Sequence, residues 1–315
     1  MNATTAGTLL RRALLGASLP LALVACSGDK DPSHTPEMDG SGDGSGEVTA
    51  REDRVGGVNE DLVPQATQYY VAQTFSFARI EDGVTVGFDL DGHTTTSQAE
   101  GCDILDYVSP DGVEGIDSQF ATLLPTLEQI GGSALPLLVQ AALNEGDLIL
   151  LFDLQGLDDW QNDDEVAVSL QRGLGQPIIG GNDLMLPFQT FDLDLEKPGA
   201  FVEGGVLVDG SLYASPIEVS IPFFVFDSFI EVTLENGVIR MDMQDDGSIL
   251  ATIGGGVSLE QINEIASIPG IGTQINELLP FVAERAADLR TTPGGDCDAL
   301  SAVVQARLIP AFVFE

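Results

Sequence analysis

Basic residues are scarce in this chain. Its 315 residues include 12 Lys and Arg against 50 Asp and Glu, a formal net charge of −38, and the only lysines are Lys30 and Lys197. Phosphate backbones are gripped through a basic footprint, so nucleic acid is excluded as a partner. Adsorption to anionic headgroups fails on the same ground, and any hold on a membrane must come from apolar groups. Histidine is limited to His34 and His93, too few for the imidazole-rich sites that zinc favours. Cysteine is limited to Cys26, Cys102 and Cys297, widely spaced, which excludes a thiolate cluster. No His-Glu-x-x-His, Gly-x-Ser-x-Gly or Walker loop occurs, and a Ser-His-Asp triad would have to use His93 without any supporting motif. No catalytic residue is assigned. Long apolar runs are also missing, because the clearest one, 13–25, is too short to span a bilayer.

That short run is the most informative feature present. Arg11-Arg12 precedes it and Leu23-Val24-Ala25-Cys26 ends it, the layout of a secretory signal peptide. The last four residues resemble the lipobox of bacterial lipoproteins at every position. The resemblance implies diacylation of Cys26, cleavage before it and acylation of the new amino terminus. Residues 1–25 are then a signal peptide. Residues 26–63 are the lipidated cysteine and a disordered, acidic Gly/Ser/Asp-rich tether, and 64–315 form a single globular domain. Ser27 stands where an aspartate would argue for inner-membrane retention, so the expected location is the cell envelope, at the outer rather than the inner membrane. With Cys26 lipidated, Cys102 and Cys297 remain, and in an oxidising compartment they are expected to pair. Two unpaired thiols are the alternative.

Hydrophobic residues make up 43% of the chain, enough to build a core. From Val63 onward the pattern is mostly strand and hairpin, and the expected fold is α+β and β-rich. Antiparallel meander strands would form two sandwich-like packed sheets or one strongly curved sheet, with a few amphipathic helices. Strands are expected at 74–81, 84–90, 148–154, 165–171, 188–195, 203–208 and 211–219. Asn236-Gly237 predicts a two-residue hairpin between 229–235 and 238–244. At Asp245-Asp246-Gly247 a three-residue loop would set Ile249 opposite Met243 and Ile253 opposite Ile239. Helices are expected at 116–131, 133–144, 258–267, 275–286 (kinked or restarted at Pro280) and 297–306. Ser258 and Gln261 stand at capping-box spacing. Segments 115–125 and 270–280 share Gly, Ile, Gln, Leu, Leu and Pro, which suggests either an internal duplication or two helices that converged on one solution.

Two loops could hold ligands. Asp89-Leu90-Asp91-Gly92 opens a polar stretch in which Glu100 occupies the twelfth position. Asp89, Asp91 and Glu100 thus resemble part of an EF-hand loop and nominate calcium, although the glycine falls at position 4 instead of 6. Asp158, Asp159 and Trp160 open an acidic loop with the only tryptophan. It could stack on a sugar ring beside hydroxyl-binding carboxylates, or it could simply cover the core. Gly254-Gly255-Gly256 reads as a tight strand-to-helix turn or an anion nest. The stretches 88–92, 101–103, 109–112 and 115–119 resemble predicted lipoproteins of myxobacteria and related bacteria. That resemblance implies an exported, lipid-anchored domain and no particular activity. The expected role is binding or envelope structure, with cationic or carbohydrate envelope components as partners. The alternative is a carbohydrate hydrolase working through paired carboxylates.

Overall fold

The described residues form fifteen elements. In chain order they are β1 (Thr67–Phe77), β2 (Tyr107–Val108), β3 (Glu114–Ile116), α1 (Phe120–Gly131), α2 (Leu135–Glu145), β4 (Leu150–Gln155), β5 (Asp163–Leu174) and β6 (Gln189–Leu193). Then come β7 (Ala200–Val208), β8 (Ser211–Val225), β9 (Ser228–Met243), β10 (Ile249–Ser258), α3 (Leu259–Ala266), α4 (Thr273–Ala286) and β11 (Ala299–Phe314). The computed structural model describes residues 67–97, 102–131, 135–197, 199–225, 228–268, 273–292 and 294–314. The segments expected as signal peptide and tether (1–25 and 26–63, with Cys26) and Glu100 lie outside the described residues.

The fold is β-rich and antiparallel as expected, but the sheet is not a sandwich. Strands β1, β4, β5, β7, β8, β9, β10 and β11 pair in that order, each antiparallel to the next, and β11 returns to β1. The result is an eight-stranded up-and-down barrel. Closure removes both sheet edges, which an open curved sheet would leave unpaired. Strand β6 lies outside this ring, antiparallel to β5 and parallel to the end of β11.

Alternation places one face of every strand inside. Phe152, Leu154, Val168, Leu170, Leu212, Val219, Ile239, Met241, Ile253, Val304 and Leu308 share a single buried cluster. Leu123 of α1, Val139 and Leu143 of α2, Ile262 of α3 and Ala283 of α4 join it, so the helices pack onto the barrel's interior. Rows such as Arg240–Thr252–Gln305 and Asp242–Leu250–Arg307 run across the outer wall, and they are largely polar. A barrel that spans lipid has the reverse arrangement, apolar outside and polar inside. No helix among the described residues is long and apolar enough to cross a membrane.

Several local expectations hold. Ile249 faces Met243 and Ile253 faces Ile239, with Gly247 at φ +78° in the connecting loop. Asp209-Gly210 joins β7 to β8, both residues at positive φ. The Ser258 side chain accepts the Gln261 N–H at 3.3 Å, capping α3. Gln261 does not return to the cap, because its side chain accepts from the Thr233 N–H at 3.0 Å.

Others are corrected. Asn236-Gly237 makes no turn: β9 runs straight through it, paired with β8 on one side and β10 on the other. Asn236 has φ +50° at a register shift, so the conformation that favours a hairpin here produces a bulge instead. A Cβ on Gly237 would sit 2.7 Å from the Gly254 carbonyl oxygen and 2.9 Å from that of Ile217, so the flanking backbones require glycine. Gly254-Gly255-Gly256 lies within strand β10, where added Cβ atoms would meet Phe88, Leu234 and Ala299. It is a close-packing site, neither turn nor anion nest. Residues 299–306 are strand β11, not helix, paired with β10 and, from Val304 on, β1. Segment 84–90 contributes only isolated bridges. Helix α4 continues through Pro280, as α1 does through Pro125. The sequence echo stops at these helices, since α1 follows the β2–β3 pair and α4 follows α3.

Candidate metal centre

The candidate centre starts from one backbone bridge. Phe88 pairs with Asp117, with the Asp117 N–H donating to the Phe88 carbonyl at 2.9 Å. This brings a polar loop onto the residue that follows β3. The Leu90 N–H then donates to Asp117 Oδ2 at 2.7 Å. Asp89 Oδ1 accepts from the Gly92 and His93 N–H groups at 2.7 and 3.0 Å, and Asp91 Oδ1 accepts from His93 at 2.8 Å. Gly92 stands at φ +74° where the loop reverses. The loop thereby fixes its own two carboxylates beside a third from elsewhere in the chain.

One carboxylate oxygen from each of Asp89, Asp91 and Asp117 lies within 4.8 Å of the others. Calcium takes six to eight oxygens at about 2.3–2.6 Å, so two oxygens of one shell stand at most roughly 5 Å apart. The three oxygens fit a single shell. They are hard donors, suited to calcium or magnesium rather than zinc. Asp89 and Asp91 are exposed and Asp117 is buried at 3% exposure, so the centre is open to solvent on one side.

Further acids surround it. Asp106 accepts from the Thr95 N–H, and burial together with Asp91 and Asp89 raises its carboxyl above the usual range. Burial also pushes Asp117 up to about 8, reinforced by Asp288, Asp91 and Asp106 against the Leu90 hydrogen bond. Asp288, near the start of β11, is pushed up to about 7 by burial despite two hydrogen bonds from Ser301. The Ser301 hydroxyl in turn accepts the Gln119 N–H at 2.7 Å. A continuous chain therefore ties the Asp117–Gln119 segment to β11. Next to Asp117, the Ser118 hydroxyl is fully buried and finds no partner among the described residues. The disulfide joins Cys102 to Cys297, pinning the loop before β2 to the segment before β11.

Of the sequence candidates, Asp89 and Asp91 come together and Glu100 lies outside the described residues. Asp117, within the 115–119 stretch, is not among the residues the sequence nominates as ligands. Its signal was an acid directly between a strand and a helix start.

The second loop assembles differently. Asp159 Oδ1 accepts from the Gln161 and Asn162 N–H groups, while Asp163 Oδ2 accepts from Asp158 at 2.8 Å. Trp160 is half-buried and packs against the main core. An open groove of about 1070 Å³ lies alongside, lined by Asp158, Asp163, Asp164, Glu165 and Glu203, with neither Trp160 nor Asp159 among its walls. Asp163 holds the Asp158 carboxyl above its usual range by charge and by a side-chain hydrogen bond.

Comparisons with protein-family models, curated proteins and solved structures return no match for this chain.

Proposed function

We propose that this chain is an exported lipoprotein whose barrel serves a binding or structural role in the cell envelope and carries a divalent-cation centre. Residues 1–25 direct export, lipids on Cys26 hold the protein at the outer membrane, and residues 26–63 link that anchor to the barrel. The cation, calcium by ligand chemistry, is held by Asp89, Asp91 and Asp117. The partner is a cationic or carbohydrate component of the envelope, reached in part through the metal.

The convergence of three carboxylate oxygens on one shell-sized volume carries this reading. Two observations support it. A buried carboxylate is costly unless a positive charge or a proton compensates it, and the charges acting most on Asp117 are all negative. The hydroxyl of the next residue, Ser118, is also buried and has no partner among the described residues. A cation bound there would order the 88–97 loop against β3, which is a structural rather than a catalytic use.

Thermal melting of protein prepared in chelator tests the centre. Millimolar calcium should raise Tm, and Asp91→Asn should abolish the rise. An unchanged Tm in the unmodified chain would remove the cation from the account. Fractionation tests the anchor: Cys26→Ser should release a folded protein from membranes, and a variant that still sediments would overturn it.

A further inference from the structure

The insertion between β5 and β7 is apolar on both faces. Residues 178–186 form a small hairpin, with the Leu186 N–H donating to the Ile178 carbonyl and Ile179 bridging Met185. Its inner face, with β6, buries Met185 and Phe191 over Val71, Ile149, Leu151, Ile309 and Ala311. The outer face should then be polar, since water covers it. Instead it carries Ile178, Leu186 and Phe188 at 63, 43 and 64% exposure, continued by Phe312 and Phe314 at 55 and 69%. The rings of Phe188 and Phe312 lie 6.4 Å apart, and the Gln189 side chain bonds the backbones of Ile178 and Leu186, so the patch is contiguous. Its apolar surface is on the order of 500 Å², near the upper end for a monomer's largest patch. Phe188 holds φ +63°, a conformation that bulky residues rarely adopt. The backbone is strained to keep that ring outside.

The place where the tether enters identifies the occupant. Tyr70 pairs with Pro310, and the two strands are antiparallel. From that pair, Thr67 lies about 10 Å in one direction along β1 and Phe312 about 7 Å in the same direction along β11. Thr67, at which the described domain begins, and the patch therefore lie toward the same end of the barrel, and 40 residues separate Thr67 from Cys26. We infer that this face rests against the lipid bilayer, an inference that depends on the anchored reading given above. Asp183 and Asp192, both exposed, flank the patch. The lipid surface it fits is therefore zwitterionic rather than anionic. The tether reaches at most about 140 Å, and anchoring makes the contact intramolecular, so a contact too weak to hold the free domain suffices.

The test uses the full lipidated chain in phosphatidylcholine vesicles. Trp160→Phe removes the native tryptophan, and Phe312→Trp places a reporter in the patch. A second chain carries Glu218→Trp, on the outer wall of β8, as the reference. With brominated acyl chains, the Phe312→Trp chain should lose intensity and shift to the blue, while the Glu218→Trp chain should not. Mass analysis of the amino-terminal peptide is run on the same preparation. Lipid present on Cys26 with no quenching in the Phe312→Trp chain overturns the bilayer contact and leaves the anchor standing. Absence of lipid on Cys26 overturns both. Sedimentation of the Cys26→Ser chain provides a further check: a dimer dispersed by Phe312→Ser would assign the patch to a second copy and overturn the contact with lipid.

Discussion

Asp117→Asn changes charge but not size, and it keeps an oxygen to accept the Leu90 N–H. In the native chain, burial and three neighbouring acids push this carboxyl up to about 8 from an ordinary value of 3.8. The folded protein therefore binds a proton that the unfolded chain releases near pH 4. The associated stability is complete below that pH and is lost as pH rises through 8. At about 1.4 kcal/mol per pKa unit, the loss between pH 4 and pH 9 is roughly 4–6 kcal/mol, an upper figure because water and local relaxation soften buried charges. Asp288, raised to about 7, adds to the same trend. Asp246 and Asp298 are held low by hydrogen bonds and act only below pH 4. In chelator at pH 8, Asp117→Asn should therefore be more stable than the native chain by about 2–4 kcal/mol, and the difference should shrink toward pH 5. With calcium at about a hundred times its Kd, the native chain gains about 2.7 kcal/mol and the variant does not. Urea unfolding followed by Trp160 fluorescence, at both pH values and with or without calcium, measures all of these. Native stability that stays flat or rises between pH 5 and pH 8 in chelator, with no gain in the variant, would refute the reasoning.

Two further predictions concern the framework. The Cys102–Cys297 bond closes a separation of 195 residues, so replacing both with Ser should cost up to about 5 kcal/mol on the chain-entropy estimate. A urea midpoint unchanged by the double replacement would contradict this. Gly237→Ala drives a Cβ into backbone on both sides, and should cost about 2–3 kcal/mol by overpacking. Gly83→Ala, at φ +82° with open space around it, should cost only about 1 kcal/mol of backbone strain. Equal losses at the two positions would argue for the hairpin reading of Asn236-Gly237.

The sequence was most legible where geometry is local. The three residues Asp245-Asp246-Gly247 set the β9–β10 register, because turn length and the period-two pattern allowed one solution. Asn236-Gly237 misled for the same local reason: positive φ at Asn serves a hairpin and a bulge alike. Only the strands on both sides of β9, contributed by residues 217 and 254, decide between them. The start of strand β11 reads as helix in the sequence because a strand buried on both faces shows no alternation, and 299–304 is buried throughout. Closure of the barrel rests on pairing Tyr70 with Pro310, which no spacing rule reports. The centre divides in the same way. Asp89 and Asp91 share a loop and were readable as a pair, whereas Asp117 arrives through the bridge to Phe88, a tertiary contact.

Titration calorimetry of calcium into the chelator-treated full chain reads the Asp89–Asp91–Asp117 centre itself. Heat should saturate at one ion per chain and disappear in both Asp89→Asn and Asp117→Asn. Absence of heat, or heat that persists in those variants, would contradict it.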